Sequence, residues 1–177
     1  DGIIFQAEGP APRVVTVNAD TPQGVVSKLA ELTGHPFMPP MWSVGYHQSK
    51  YSYFPQQNVL DVANEFRNRQ IPAEVIWMDI DYMDGFRNFT FNPFAFPDPA
   101  GLNNALDSIG FQAVWMANCG VKVDGGYDAY TQMNAQGLAV QNASGFEFWG
   151  DVWPGTSVWP DFTMATTRDW WAGRIES

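Results

Sequence analysis

Ile76-Trp77-Met78-Asp79-Ile80-Asp81-Tyr82-Met83-Asp84-Gly85 is the stretch that decides how this chain is read. The run from Glu74 to Ile80 is apolar enough for a strand buried on both faces, as parallel strands are. It ends by delivering two carboxylates at alternate positions, Asp79 and Asp81, one expected to point into the mouth of the fold and one toward the surrounding loops. Burying an unpaired carboxylate costs several kcal/mol, by order of magnitude. A strand-end Asp in this setting therefore either serves a site or caps the next loop, and spacing leaves both open.

Working outward, the same rhythm recurs on both sides. Trp42 to Tyr46 is a short, mostly apolar run that predicts a strand. A helix is predicted over Asn58 to Arg69, with Val59, Val62, Ala63 and Phe66 on one face. Gly101 to Ile109 predicts a second helix, Phe111 to Met116 another buried strand, and Tyr127 to Gly137 a third helix. Strand–helix alternation of this kind predicts a parallel sheet built from three βα units, with function at the carboxyl ends of the strands. Upstream, Arg13 to Val17, within residues 1–20, reads as an extended strand or strand end. A lead-in helix follows, with Thr21 as N-cap, Pro22 at its first position and Gly34 as its stop. The expected organisation is a lead-in segment over 1–34 and an α/β domain over 35–177.

A closed eight-fold barrel needs about 250 residues, so a chain of 177 supplies only part of one. An open doubly wound sheet fits the length better, but no Gly-rich phosphate loop follows any strand, which disfavours a nucleotide-binding domain. Formal net charge is −10, and no Lys/Arg cluster could neutralise a run of phosphates, so nucleic acid is excluded as a partner class. The eight Trp, thirteen Phe and six Tyr fill cores in the main, although aromatic rings also form the apolar platforms on which sugars pack. Cys119 is the single cysteine, so no internal disulfide framework is possible and the compartment is left open. No apolar run approaches the length of a membrane span. His35 and His47 lack the clustering of a metal site, and no metal or cofactor is predicted.

Five stretches, in order, carry a resemblance. They are Pro39-Pro40-Met41-Trp42 through Tyr53; Ile71-Pro72 through Gly85; Phe89-Thr90 with Phe96-Pro97-Asp98-Pro99; Gly120-Val121-Lys122-Val123-Asp124; and Val152-Trp153-Pro154-Gly155-Thr156-Ser157 with Pro160-Asp161-Phe162, closed by Trp170-Trp171. Together they resemble the front part of the catalytic barrel of glycoside hydrolase family 31, from about Leu32 to Trp171. The resemblance implies a partial (β/α)8 TIM barrel, about its first three βα units, and retaining chemistry on α-linked sugars. Carried over by position, it implies that Asp79 hydrogen-bonds distal hydroxyls of the sugar and that Ile80 lines that subsite. Tyr51 and Trp153 would supply aromatic walls, and Met116 a side chain at the end of the third strand. Asp81 would tie down the loop after its strand, while Tyr82 and Met83 would pack that loop.

Retaining hydrolysis uses two carboxylates about 5–5.5 Å apart. In the family the nucleophile is an Asp in a W-x-D-M-N-E motif on the fourth strand, and the acid/base is an Asp much further on. Neither motif occurs here, so no catalytic residue is assigned within the chain and both are expected C-terminal to Ser177. The expected function is an α-glucosidase acting on terminal α-linked glucose of oligosaccharides or starch-type glucans, with this segment inactive by itself. Its expected partners are that substrate and the remainder of the same catalytic domain. An α-1,4-glucan lyase or an α-xylosidase would use the same residues, and a non-catalytic carbohydrate-binding fragment is the reading from another class. The family's Pro after the third strand is replaced in Asn118-Cys119-Gly120, which is expected to loosen that turn and bring a thiol near the cleft. Asn88-Phe89-Thr90 and Asn142-Ala143-Ser144 are glycosylation sequons.

Overall fold

The structure is a computed structural model that describes residues 6, 8–10 and 13–176. The chain divides into two compact units, residues 1–39 and 40–177. In the first, α1 (Pro22–Thr33) begins as its sequence requires: the Thr21 hydroxyl accepts the Gly24 N–H at 3.1 Å, and Pro22 occupies the first turn. Gly34 ends it at φ 92°, a conformation that disfavours side chains. The strand expected over Arg13 to Val17 does not form. A strand needs a neighbour to complete its ladder, and among the described residues of this unit none pairs with it. The rest of that expectation falls partly on residues 1–5, 7, 11 and 12, outside the described residues.

The second unit opens with a single 3-10 turn, Met41–Val44, where a strand was expected. Pro40 fixes the entry and the Ser43 hydroxyl bonds back to the Pro40 carbonyl at 2.8 Å, so the chain turns before it extends. The strand comes later, as β1 (His47–Gln48). Then follow α2 (Gln56–Asn68), β2 (Val75–Met78), α3 (Pro99–Ser108) and β3 (Gln112–Trp115). The three strands form one parallel sheet in the order β1-β2-β3, with His47 opposite Val75 and Met78 opposite Trp115.

Alternation gives this sheet two faces. Ile76 and Met78, with Ala113 and Trp115, meet Val59 and Ala63 of α2 and Leu102 and Leu106 of α3 in one apolar core. Phe96 and Phe111 complete it, and each such buried side chain contributes about 1.5–3 kcal/mol. Arg67 locks the base of both helix–strand turns. Its guanidinium donates to the carbonyls of Ile109 (2.7 Å), Ala73 (2.9 Å) and Gly110 (3.1 Å) and lies 4.1 Å from the Phe111 ring centre. Val75, Trp77, Gln112 and Val114 take the opposite face, where Trp77 Nε1 donates to His47 Nδ1 at 3.1 Å. Burial on both faces holds for β2 except at half-buried Trp77, but every residue of β3 is half-buried.

The third βα unit is not a direct one. After β3 the chain enters a second sheet, antiparallel, of β4 (Val121–Lys122), β5 (Trp149–Val152) and β6 (Gly155–Val158) in the order β4-β6-β5. The expected third helix exists as α4 (Asp128–Ala135), but it packs under this second sheet, with Met133 beside Val121 and Val158. An unforeseen helix, α5 (Ala165–Glu176), carries Trp170 and Trp171 onto the same core. The observed sheets are thus partial, and no closed barrel is present among the described residues. No helix of the described residues is long and apolar enough to cross a membrane.

Candidate functional site

β2 ends at Met78, and from there the backbone coils. Ile80–Tyr82 form one 3-10 turn, which Asp79 caps by accepting the Ile80 N–H at 2.8 Å. This turn separates the two carboxylates. Alternate positions of a strand share a face, so the expected parting of residues 79 and 81 does not follow from strand geometry. The tight turn produces it, sending Asp81 back to the loop after β1, where it accepts the Ser52 hydroxyl. Asp79 is half-buried at the strand end, and capping engages only its Oδ1.

The register of β2 with β3, carried one residue further, sets Met116 beside Asp79, and the Met116 N–H donates to the Met78 carbonyl at 3.1 Å. The Met116 carbonyl in turn accepts the Tyr82 hydroxyl at 2.9 Å, and burial pushes that phenol up to about 12. Ile80 is only 5% exposed and belongs to the apolar core behind this edge. Tyr82 and Met83 are buried beside it.

Tyr51 stands 76% exposed on the loop between β1 and α2, next to the Ser52 that Asp81 holds. Trp153 stands 65% exposed at the tip of the β5–β6 hairpin. That tip is closed by the Thr156 hydroxyl donating to Asp151 at 2.9 Å and by Gly155 at φ 94°. No hydrogen bond or ring contact joins either aromatic to Asp79 among the described residues. The structure therefore brings Asp79 and Met116 together, puts Ile80 behind them, and carries Tyr51 and Trp153 on separately anchored loops.

Sequence reasoning missed the residue that holds these loops in place. Asn88 is 1% exposed; its Nδ2 donates to the Gly120 carbonyl (3.1 Å), its Oδ1 accepts the Asn118 N–H (2.9 Å), and its own carbonyl accepts the Tyr127 hydroxyl (2.8 Å). The loop after β2 is thereby fastened to the loop after β3. Burial raises the Tyr127 phenol well above its ordinary range. The turn at Asn118-Cys119-Gly120, expected to be loose without its Pro, is thus anchored on both sides of Cys119, whose thiol is exposed.

A Cβ at Gly120 would lie 2.8 Å from Val152 Cγ2, so any larger residue there would have to displace the Val152 side chain. Nearby, Arg87 donates through Nη2 (2.6 Å) and Nε (3.1 Å) to Asp124. This bond, helped by the Gly126 N–H, holds the Asp124 carboxyl below its ordinary value. The one sequence signal for Asn88 was its sequon, which pointed to the surface rather than to a buried amide.

Similarities to known proteins bear on this arrangement. The sequence matches the model of the Glycosyl hydrolases family 31 TIM-barrel domain over residues 36–177. It is 38% identical over 153 residues to an alpha-glucosidase of Saccharolobus solfataricus, covering 86% of this chain and 22% of that protein. A family 31 alpha-glucosidase structure from Bacteroides thetaiotaomicron superimposes with TM-score 0.78 at 45% identity, over 86% of this chain and 26% of that one. A Flavobacterium johnsoniae GH31 dextranase complexed with glucose superimposes with TM-score 0.84 at 25% identity, over 90% of this chain and 20% of that one. The chain thus spans about a quarter or less of the length of these relatives. A parallel β-α-β-α-β sheet with its polar residues at the strand ends, matched by this family's model over four-fifths of the sequence, places the chain in glycosyl hydrolase family 31 as part of its TIM-barrel domain.

Proposed function

We propose that residues 35–177 form the sugar-binding side of a retaining α-glucosidase-type active site, acting on terminal α-linked glucose of oligosaccharides or starch-type glucans. The observation that carries this reading is Asp79: a half-buried strand-end carboxylate with one oxygen used as a cap, the other open to a ligand hydroxyl, and Met116 beside it. A carboxylate so placed discriminates by accepting hydroxyls, because an analogue lacking the hydroxyl leaves a desolvated charge unpaired. Ile80 stiffens the subsite from behind, while Tyr51 and Trp153 offer ring faces for the apolar side of a sugar. Relatives named alpha-glucosidase support the choice of sugar and linkage. The two reacting carboxylates belong to this proposal as residues C-terminal to Ser177, and this segment by itself is inactive.

The test is steady-state kinetics of the full-length protein on an aryl α-glucoside, with Asp79→Asn as the variant. A charge-assisted hydrogen bond lost from the substrate lowers kcat/KM by about 10- to 100-fold. Unchanged kinetics in the variant would remove Asp79 from the site. The structural similarity to a dextranase supports a second reading, in which the substrate is dextran rather than a maltose-like or starch-type glucan. Comparing maltose, isomaltose, starch and dextran as substrates decides between the two.

A further inference from the structure

We infer that the second sheet carries a separate carbohydrate-binding cleft, distinct from the strand-end site, whose ligand is a neutral glucan chain. The cleft, about 400 Å³, is bounded by the end of α4, the 141–147 hairpin and the start of β5. Its aromatic side is Trp149, 56% exposed, and Phe146, 72% exposed, neither of which belongs to the apolar core under this sheet. Its polar side is Glu147 with the amides of Asn134 and Gln141.

Glu147 is fixed in place. Trp149 Nε1 donates to its Oε2 at 3.2 Å and the Tyr130 hydroxyl to the same oxygen at 3.4 Å, so Oε1 is the oxygen left for a ligand. The hairpin that presents it is closed by Asn142 N–H to the Phe146 carbonyl at 2.7 Å and Phe148 N–H to the Val140 carbonyl at 2.8 Å. The donors and acceptors here are amides and one carboxylate, and no Lys or Arg lines the cleft. Anionic ligands are therefore repelled, and a purely apolar ligand would strand the carboxylate. A sugar ring has an apolar face for Trp149 and a rim of hydroxyls for Glu147, Asn134 and Gln141, which matches this division. The choice of glucan as the probe rests on the proposed function; the chemistry of the cleft does not.

The test is affinity electrophoresis of the full-length protein in gels containing soluble starch or dextran, alongside hydrolysis of an aryl α-glucoside too small to need this cleft. Trp149→Ala and Glu147→Gln are expected to weaken retardation by one or both glucans at least about fivefold, with aryl α-glucoside kcat/KM within about twofold of the parent. Trp149→Tyr, which keeps a platform, is expected to recover most of the retardation. Retardation unchanged in Trp149→Ala and Glu147→Gln overturns the inference, as does a parent protein that neither gel retards. A parent that is retarded but does not hydrolyse the aryl glucoside overturns the enzymatic reading alone.

Discussion

Asn88 and Gly120, thirty-two positions apart, are joined by a 3.1 Å bond from a side-chain amide with 1% exposure to a buried carbonyl. The same amide's oxygen holds the Asn118 N–H, so one side chain satisfies a donor and an acceptor on the far loop. Asn88→Ala leaves the buried Gly120 carbonyl and the part-buried Asn118 N–H without these partners. The expected cost is about 2–6 kcal/mol, from two unmet groups at roughly 1–3 each. Urea unfolding of parent and variant checks it. A loss below about 1 kcal/mol would mean that the two loops are held by packing instead.

The burial of Asn88 also sorts the two sequons. Asn142 lies exposed at a hairpin turn, its Oδ1 accepting the Ser144 and Phe146 N–H groups, which leaves its Nδ2 facing solvent. Expression through the secretory pathway of a glycosylating host is expected to put glycan on Asn142 and none on Asn88 in the folded fraction. Peptide mapping by mass spectrometry reads this directly. A glycan on Asn88 in folded protein would contradict the placement of that loop.

These two residues also show where sequence reading succeeds and stops. Helices announced themselves through local chemistry, Thr21 with Pro22 and Val59 with Ala63 one turn apart. The Asp98 cap, which accepts the Gly101 N–H at 2.8 Å and starts its helix at Pro99, was passed over, and that helix was expected only from Gly101. The strand-end position of Asp79 was legible because β2 is a continuous apolar run. The first strand was misplaced because the run Trp42 to Tyr46 has strand-like composition, while Pro40 and the Ser43 hydroxyl favour a turn. The β5–β6 hairpin did have a signal, Pro154-Gly155 between two short runs, which was absorbed into a motif instead of being read as a turn. Asn88 had no local signal for its role, because its partners at 118 and 120 are neighbours only after both loops have folded.

The Arg87–Asp124 pair is expected to give acid-sensitive stability. The carboxyl's folded-state pKa lies below its ordinary value, chiefly through the Arg87 hydrogen bond. The pair's contribution is therefore complete above the ordinary carboxylate range and lost as pH falls through the lower folded-state value. Asp124→Asn is expected to lower Tm at neutral pH, with the deficit against the parent shrinking as the parent's carboxylate protonates. The pair is partly exposed, so the neutral-pH deficit should also shrink in 1 M salt. A deficit independent of both pH and salt would assign the loss to packing.

Tyr82 is expected to govern alkaline stability. Its phenol lies at about 12 in the folded protein against an ordinary 10, raised by burial. A pKa raised by folding gives stability that is fully present below 10 and is lost as pH rises from 10 toward 12, about 3 kcal/mol in all at 1.36 per unit. Tyr82→Phe removes this dependence but also the bond to the Met116 carbonyl, whose net worth is about 1 kcal/mol. The variant should therefore begin less stable at pH 8 and fall less steeply, so that the two stability curves converge or cross between pH 10 and 12. Urea midpoints across that range measure it. Parallel curves would show that the Tyr82 hydroxyl reaches solvent and that the loop after β2 does not seal against β3.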